Sequence, residues 1–220
     1  MTLRPYDRLP AALLVLLGAI CVATLWNPPA GRVSWALEVV PGLILVAYVA
    51  FRHRTRPMSH LVHVVIFLHV LILIYGGIYT YALTPLGNWA RDTFHLARNH
   101  YDRVGHVALG LFPTLFCREI LLRHTPLRRG GWLSFVTLSI VFAFGAFWEL
   151  LEWWVTLIVA SDTGTAFLGS QGDVWDAQWD MALVGAGSIV SLLFLQKAHD
   201  RSMARVPLTE SAGESPAAAR

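Results

Sequence analysis

The sequence predicts an all-α protein that crosses a membrane several times as a helix bundle. Of its residues, 55% are hydrophobic and 14% are charged, whereas soluble domains carry about 25% charged residues. The apolar residues form six long runs, and a helix needs roughly 20 such residues to span the hydrocarbon layer of a bilayer. Because so much apolar side chain requires lipid around it, composition and run length together predict a polytopic membrane protein.

We place one transmembrane helix on each apolar run. The predicted spans are Leu9–Trp26, Ser34–Phe51, His60–Leu83, Tyr101–Leu122, Trp132–Ala160 and Ala177–Lys197. The first run follows Arg4 and Arg8 as a signal peptide would, but it lacks a small-x-small cleavage site, so we predict a retained span. The spans make one membrane domain over residues 1–200, and the small polar residues of 201–220 predict a disordered cytoplasmic tail.

The basic residues of the connecting segments predict the orientation of the chain. Lys and Arg concentrate in the short cytoplasmic loops of inner-membrane proteins. Here they concentrate in the two ends of the chain and in every second connection, and the last loop of the opposite set, Ser161–Asp176, has none. The pattern therefore predicts a bacterial inner-membrane protein with six spans and with both termini in the cytoplasm.

Ionisable residues gather at the predicted outer ends of the fourth, fifth and sixth spans. They are Asp102, Arg103, His106, Glu149, Glu152, Asp173, Asp176 and Asp180. Within each span, spacings of three, four or seven residues place them on one helix face. An ionisable group inside the bilayer costs at least about 2.5–3.5 kcal/mol, and such groups almost always face the bundle interior or a water-filled cavity. Three helices are thus predicted to build one outward-facing polar cluster.

The carboxylates of this cluster predict a divalent-metal site. Glu149 and Glu152 lie one turn apart, so they must share a proton, pair with Arg103 or bind a cation. Carboxylates and imidazoles from facing helices build metal sites in helix bundles, and a mixed oxygen and nitrogen set suits Zn, Mn or Fe. The candidate ligands are His106, Glu149, Glu152, Asp180, Asp102, Asp173 and Asp176.

Four further residues are candidates for contacts with a substrate or with the metal ligands. They are His100, Arg103, Tyr75 and Tyr79. Arg103 would orient a carboxylate or bind an anionic head group, and the two tyrosines, one turn apart in the third span, would donate hydrogen bonds. His69 lies deeper in the same span, and we expect it in a hydrogen-bonded core position, too far inward to join the cluster.

Two other interpretations of the same residues stay open. In the first, the cluster only locks the bundle or a partner-binding surface, with Arg103 paired to Glu149 or Glu152 and with Asp173 or Asp176 capping the last helix. In the second, the protein is a transporter or a proton-coupled carrier, although the polarity is one-sided and no inverted repeat is evident. No HExxH, GxSxG or P-loop motif is present to indicate an enzyme class.

Three segments resemble the signature stretches of a known family. They read HYDRVGHVALGLFPTLFCREILLR over His100–Arg123, FWELLEWW over Phe147–Trp154 and QGDVWDAQWDM over Gln171–Met181. These long motifs, dense in Trp, Asp and Glu, are similar to those of the YjdF-like family of bacterial inner-membrane proteins, a family of unknown function. The resemblance covers most of the chain between the first span and the tail. It implies the location and the architecture, and it implies no reaction. For a chain of this composition we expect membrane lipids as partners and no nucleic acid.

Overall fold

The computed structural model of the protein describes residues 4–158 and 170–207, and every regular element in these ranges is a helix. In chain order the α-helices of the described ranges are α1 (Arg8–Leu25), α2 (Arg32–Arg52), α3 (His60–Tyr79), α4 (Pro85–Phe94), α5 (Tyr101–Leu111), α6 (Pro113–His124), α7 (Gly131–Ile158), α8 (Asp176–Phe194) and α9 (Gln196–Met203). Two short 3-10 helices, Pro5–Asp7 and Tyr81–Leu83, precede α1 and follow α3. The all-helical prediction is confirmed.

Six segments of this part of the chain are long and apolar enough to cross a membrane, as predicted. They contain α1, α2, α3, the pair α5 and α6, α7 and α8. Helix α3 ends at Tyr79, before the predicted end at Leu83, because Thr80 has a positive φ of 62° that an α-helix cannot continue through. At the other end, α9 continues to Met203, past the predicted start of the tail at Arg201. Residues 159–160 of the fifth predicted span and 208–220 of the predicted tail lie outside the described residues.

Pro113 divides the fourth span into two helices. Proline has no backbone N–H and its ring clashes with the preceding turn, so α5 ends at Leu111 and α6 begins at Pro113. The hydroxyl of Thr114 donates a hydrogen bond of 2.6 Å to the carbonyl oxygen of Gly110 and lies 2.8 Å from the hydroxyl of Ser188 on α8. These contacts satisfy backbone and side-chain groups at the break and fasten it to α8.

Two glycines let α5 and α8 approach each other closely. A Cβ atom at Gly110 would lie 2.0 Å from the carbonyl oxygen of Val184, and one at Gly187 would lie 2.3 Å from the carbonyl oxygen of Val107. Only glycine fits where two backbones meet at such distances. The close crossing brings together the ends of α5 and α8 that carry the ionisable residues.

We expect Gly110→Ala to destabilise the protein by about 1–3 kcal/mol, because the added methyl group forces α5 away from α8. Gly18→Ala in α1 is the matched control, since a Cβ atom there meets nothing within 4 Å. Alanine is also the better helix former, so the control should unfold at the same temperature as wild type or higher. Thermal unfolding of the detergent-purified proteins checks both, and equal losses in the two variants would contradict the close crossing.

A second buried polar network lies at the opposite end of the fourth span. Glu119 is fully buried, and its carboxylate lies 2.7 Å from Arg123 and 3.0 Å from His199 of α9. Arg118, also buried, lies 2.9 Å from the other ring nitrogen of His199 and 2.8 Å from Asp200. Glu119 is therefore an interior residue, and the network holds α9 against α6.

Candidate metal centre

His106 on α5 is the side chain around which the predicted ligands gather. Its Nε2 atom lies 2.9 Å from Oε1 of Glu149 on α7. Its Nδ1 atom lies 3.3 Å from Oδ1 of Asp180 on α8 and 3.4 Å from Oδ1 of Asp102, one turn earlier on α5. The side chains of all four residues are at most 10% exposed. Three helices thus converge on one buried imidazole, as the sequence predicts.

Two sets of three side chains place ligand atoms within 4.8 Å of one another. One set is Asp102, His106 and Asp180, and the other is His106, Glu149 and Glu152. Glu152 is buried, and its Oε1 accepts a hydrogen bond of 2.7 Å from the indole N–H of Trp148, which fixes the carboxylate within the cluster. His106 belongs to both sets, so either would supply the mixed oxygen and nitrogen ligands that Zn, Mn and Fe accept.

The surroundings of the imidazole favour the second set. Nδ1 of His106 lies 3.3 Å from the backbone carbonyl oxygen of Asp102, and the carboxylates of Asp102 and Asp180 lie on the same side of the ring. These acceptors favour the tautomer with its proton on Nδ1, which leaves Nε2 as the metal-binding atom. In that arrangement Asp102 and Asp180 orient the imidazole, while Glu149 and Glu152 join it as ligands.

Two buried carboxylate oxygens of the cluster depend on His106 for their polar contacts. Oε1 of Glu149 and Oδ1 of Asp180 have no other hydrogen-bond partner among the described residues, and they lie 2.9 Å and 3.3 Å from its two ring nitrogens. A neutral imidazole can donate to only one of them, and a buried acceptor without a partner costs about 1–3 kcal/mol. Two atoms that each lie about 2.0–2.2 Å from one tetrahedral zinc ion are separated by about 3.4 Å, and Glu149 Oε1 and His106 Nε2 lie 2.9 Å apart, so this pair would have to open slightly to admit the ion. The ligand set therefore fits a cation at this position.

Arginines neutralise the aspartates at the mouth of the cluster. Arg98 donates a hydrogen bond to Asp176 and lies 3.6 Å from Asp173 and 3.8 Å from Asp102. Arg103 donates a 2.6 Å hydrogen bond to Asp173. The structural interpretation that paired Arg103 with a glutamate is therefore wrong about its partner. The sequence analysis counted Asp173 and Asp176 among the candidate metal ligands. Because both are paired with arginines, we do not place them among the ligands.

The segment between α4 and α5 folds back over the cluster, which the sequence analysis did not predict. Asn99, just before α5, is fully buried; its side-chain amide donates hydrogen bonds to Thr84 and Asn88. Its backbone N–H donates to the side chain of Gln171. These bonds fix the backbone beside Arg98 and thereby carry that guanidinium into the bundle. In the sequence, Arg98 reads only as one of the few basic residues of an outer loop.

The residues predicted to contact a substrate or the metal ligands lie in different places. Tyr75 accepts a 3.0 Å hydrogen bond from the backbone N–H of Leu86, which ties α4 to α3, and its ring contacts that of Tyr79. The hydroxyl of Tyr75 is thus not directed to the ligand carboxylates. His100 precedes α5, and burial together with the nearby charges of Arg103 and Arg98 lowers its pKa, which keeps the imidazole neutral at pH 7.

A cavity of about 620 Å³ opens beside the cluster, and its polar wall includes residues that the sequence analysis did not assign to the site. Glu38 of α2, His69 of α3 and Tyr81 line it together with Asp102, His106 and Glu152. His69 is buried on the cavity wall and belongs to neither ligand set, in keeping with its predicted position inward of the cluster. Burial and the charge of Glu38 raise the pKa of Tyr81 well above its usual value, so this phenol stays protonated.

The fold and the cluster together define an integral membrane protein built as a six-span helix bundle around a buried carboxylate–histidine centre. The chain belongs to the family described as "Predicted membrane protein (DUF2238)", whose sequence pattern matches residues 9–201. It is 38% identical over 177 residues to "Inner membrane protein YjdF" of Escherichia coli (strain K12), covering 80% of this chain and 84% of that protein. No solved structure matches the chain. The family resemblance and the inner-membrane location are confirmed, and neither match names an activity.

Proposed function

We propose that the protein binds a divalent cation, Zn, Mn or Fe, through His106, Glu149 and Glu152 and uses it for chemistry on a lipid or another envelope substrate. One observation carries the proposal: the ligand atoms of these side chains lie within 4.8 Å of one another, and Oε1 of Glu149 is buried with no partner other than the His106 ring among the described residues. Asp102 and Asp180 hold the imidazole from its other side.

The charge balance of the cluster supports a bound cation. Its carboxylates are Glu38, Asp102, Glu149, Glu152, Asp173, Asp176 and Asp180. Against them stand the guanidinium groups of Arg98 and Arg103, since an imidazole that binds a metal is neutral. Buried carboxylates without opposite charge must take up protons or a cation. A divalent ion beside His106 would supply positive charge to the glutamates that the two arginines do not contact.

The proposal also includes the orientation of the chain. Basic residues follow α2, α6 and α8, and acidic residues cluster at the other ends of the spans. By the positive-inside rule the basic ends are cytoplasmic, so both termini are cytoplasmic and the cation site lies in the outer half of the membrane. A substrate would then reach the site from the outer leaflet or from the space outside.

The residues present suit hydrolytic chemistry. A divalent ion, when bound, would polarise a substrate oxygen and lower the pKa of water. A carboxylate of the cluster outside the ligand set would accept a proton, and the protonated phenol of Tyr81, on the wall of the same cavity, is available as a hydrogen-bond donor. Beyond the cluster, the described cavity wall is mostly apolar apart from His69 and Tyr48, which favours this function over an ion path to the opposite face.

We expect Zn²⁺ or Mn²⁺ to raise the unfolding temperature of the chelator-stripped protein in detergent. A cation that binds only the folded state adds RT ln(1 + [L]/Kd), about 2.7 kcal/mol at a hundredfold excess over Kd. The His106→Gln variant should lose this response. His69→Gln is the matched control, because His69 lines the same cavity but belongs to neither ligand set. An unresponsive wild type, or an equal response in His106→Gln, would count against the site.

A further inference from the structure

The polar end of the cavity beside the cluster accepts hydrogen bonds and carries negative charge. Its polar groups are the carboxylates of Glu38, Asp102 and Glu152, the imidazoles of His69 and His106 and the phenol of Tyr81. No lysine or arginine lines the described part of the cavity. A negatively charged head group would be repelled from this end, whereas a positively charged group with hydrogen-bond donors would be attracted to it.

Glu38 is the carboxylate of this end that has no partner. It is 3% exposed and forms no hydrogen bond or ion pair with the described residues. Asp102, by contrast, lies 3.8 Å from the guanidinium of Arg98. Glu38 also belongs to neither set of proposed metal ligands, so a divalent ion bound by those ligands would not coordinate it. A buried carboxylate in this position is stabilised by a cation that reaches it through the cavity.

Two further polar side chains line the same cavity without being satisfied or free to move away. His69 is 4% exposed, and its Nδ1 has no hydrogen-bond partner among the described residues. The ring of Tyr81 is held between two helices, because a Cβ atom at Gly76 of α3 would lie 2.3 Å from it and one at Gly105 of α5 would lie 2.7 Å from it. Glu38 is near enough for its charge to act on this phenol. An ammonium group has three N–H donors and can therefore serve a carboxylate and further acceptors at once.

The rest of the cavity suits an apolar chain. On α7 its lining runs from Glu152 to Ile140, about 18 Å at 1.5 Å per residue, and most of the wall along this length is apolar. Ile44 of α2 and Phe144 of α7 both line it, yet 65% and 51% of their surfaces remain exposed. Helix α2 packs against α3, whereas α7 packs against α6 and α8. The cavity is therefore open to lipid between α2 and α7, and a chain can enter it sideways from the bilayer.

We propose that this cavity binds an amphiphile with an ammonium head group, the ammonium lying at Glu38 and the apolar chain lying along α7. The inference does not rest on the proposed function, because Glu38 lies outside both ligand sets. The volume of about 620 Å³ lies within the roughly 300–1,000 Å³ of small-molecule sites. An ordinary lipid would occupy the opening whatever its head group, so a preference for the ammonium group that depends on Glu38 distinguishes the two cases.

The test uses the full-length protein in phosphatidylcholine nanodiscs with chelator, and three single-chain probes of equal length. Each probe carries a diazirine midway along its chain, and its head group is a primary amine, an alcohol or a carboxylate. After illumination, mass spectrometry compares the labelling of segments 113–121 and 140–148 with that of α1, which does not line the cavity. We expect the amine to label these segments about tenfold more than the alcohol, the effect of one hydrogen bond to a charged group, and the carboxylate to label them least.

Two pairs of variants locate the head group and the chain. Glu38→Gln keeps the size of the side chain and removes its charge, so it should bring the amine down to the level of the alcohol. Asp92→Asn is the matched control, since Asp92 is an exposed carboxylate that does not line the cavity. Ile140→Trp fills the apolar body and should reduce labelling by the amine. Ile189→Trp on α8 is its control, since Ile189 is 46% exposed against 45% for Ile140 but does not line the cavity.

An amine preference that is lost in Glu38→Gln and kept in Asp92→Asn would support the inference. Equal labelling of the cavity segments by the amine and the alcohol in wild type, or an amine preference that persists in folded Glu38→Gln, would overturn it. So would equal labelling in the two tryptophan variants, which leave the polar end intact and serve even if Glu38→Gln does not fold. Because every measurement is made with chelator, none of these outcomes depends on the proposed divalent ion.

Discussion

Arg98→Ala should destabilise the protein by about 3–5 kcal/mol, because removing one partner of a buried ion pair leaves the other charge uncompensated. The side chain of Arg98 is 8% exposed, and it is the group that brings positive charge to Asp176, Asp173 and Asp102 together. Without it, three carboxylates at the mouth of the cluster repel one another and the segment before α5 loses its anchor. Thermal or denaturant unfolding in detergent measures the loss.

Arg91→Ala is the matched control for this experiment. Arg91 belongs to the same segment between the third and fourth spans and also pairs with an aspartate, Asp92, at 2.8 Å. Its side chain is 38% exposed and that of Asp92 is 67% exposed, so the pair should contribute at most about 1 kcal/mol. Similar small losses in both variants would show that the ion pairs of Arg98 do not hold the cluster together.

The sequence predicts the spans well because their signal is local. A run of about 20 apolar residues has no stable place except across the bilayer, and each of the six runs contains a span. The ends are harder to predict, since they depend on single backbone conformations. Thr80 ends α3 through a positive φ, which cannot be predicted from a threonine in the sequence. Helix α9 continues past Arg201 because its His199 binds Glu119 of α6.

The centre of the candidate site is also predictable, because helical spacing and depth are enough to find it. Asp102 and His106 are one turn apart, and Glu149 lies at a similar predicted depth on another span, so their meeting follows from the topology. Arg103 is next to Asp102 in sequence, but successive residues of a helix point in different directions. It therefore leaves the centre and pairs with Asp173.

Other residues of the site depend on long-range packing that sequence spacing does not reveal. Arg98 reaches the cluster only because Asn99 is fixed to Thr84 and Asn88. Glu38 carries a usable signal, an acidic residue near the predicted outer end of the second span, but the cavity wall that it joins comes from helices far away in sequence. Tyr81 is placed by the turn after α3, whose geometry follows from Thr80.

The second large effect is expected on the amount of metal bound per chain when a proposed ligand is replaced. We expect His106→Gln and Glu149→Gln to lose at least nine-tenths of the bound metal, because each removes a ligand from the set that includes Nε2 of His106 and leaves too few to hold the ion. Asp92→Asn, which removes an exposed carboxylate on α4, should keep the full content. Size-exclusion chromatography confirms that each variant is folded.

Elemental analysis of the detergent-purified protein by inductively coupled plasma mass spectrometry tests the cation site most directly. The account predicts close to one zinc, manganese or iron per wild-type chain and in Asp92→Asn, with almost none in folded His106→Gln and Glu149→Gln. A wild-type protein without metal after supplementation, or equal metal in all four proteins, would contradict it. The cluster would then serve to lock the helices together through its arginines and shared protons.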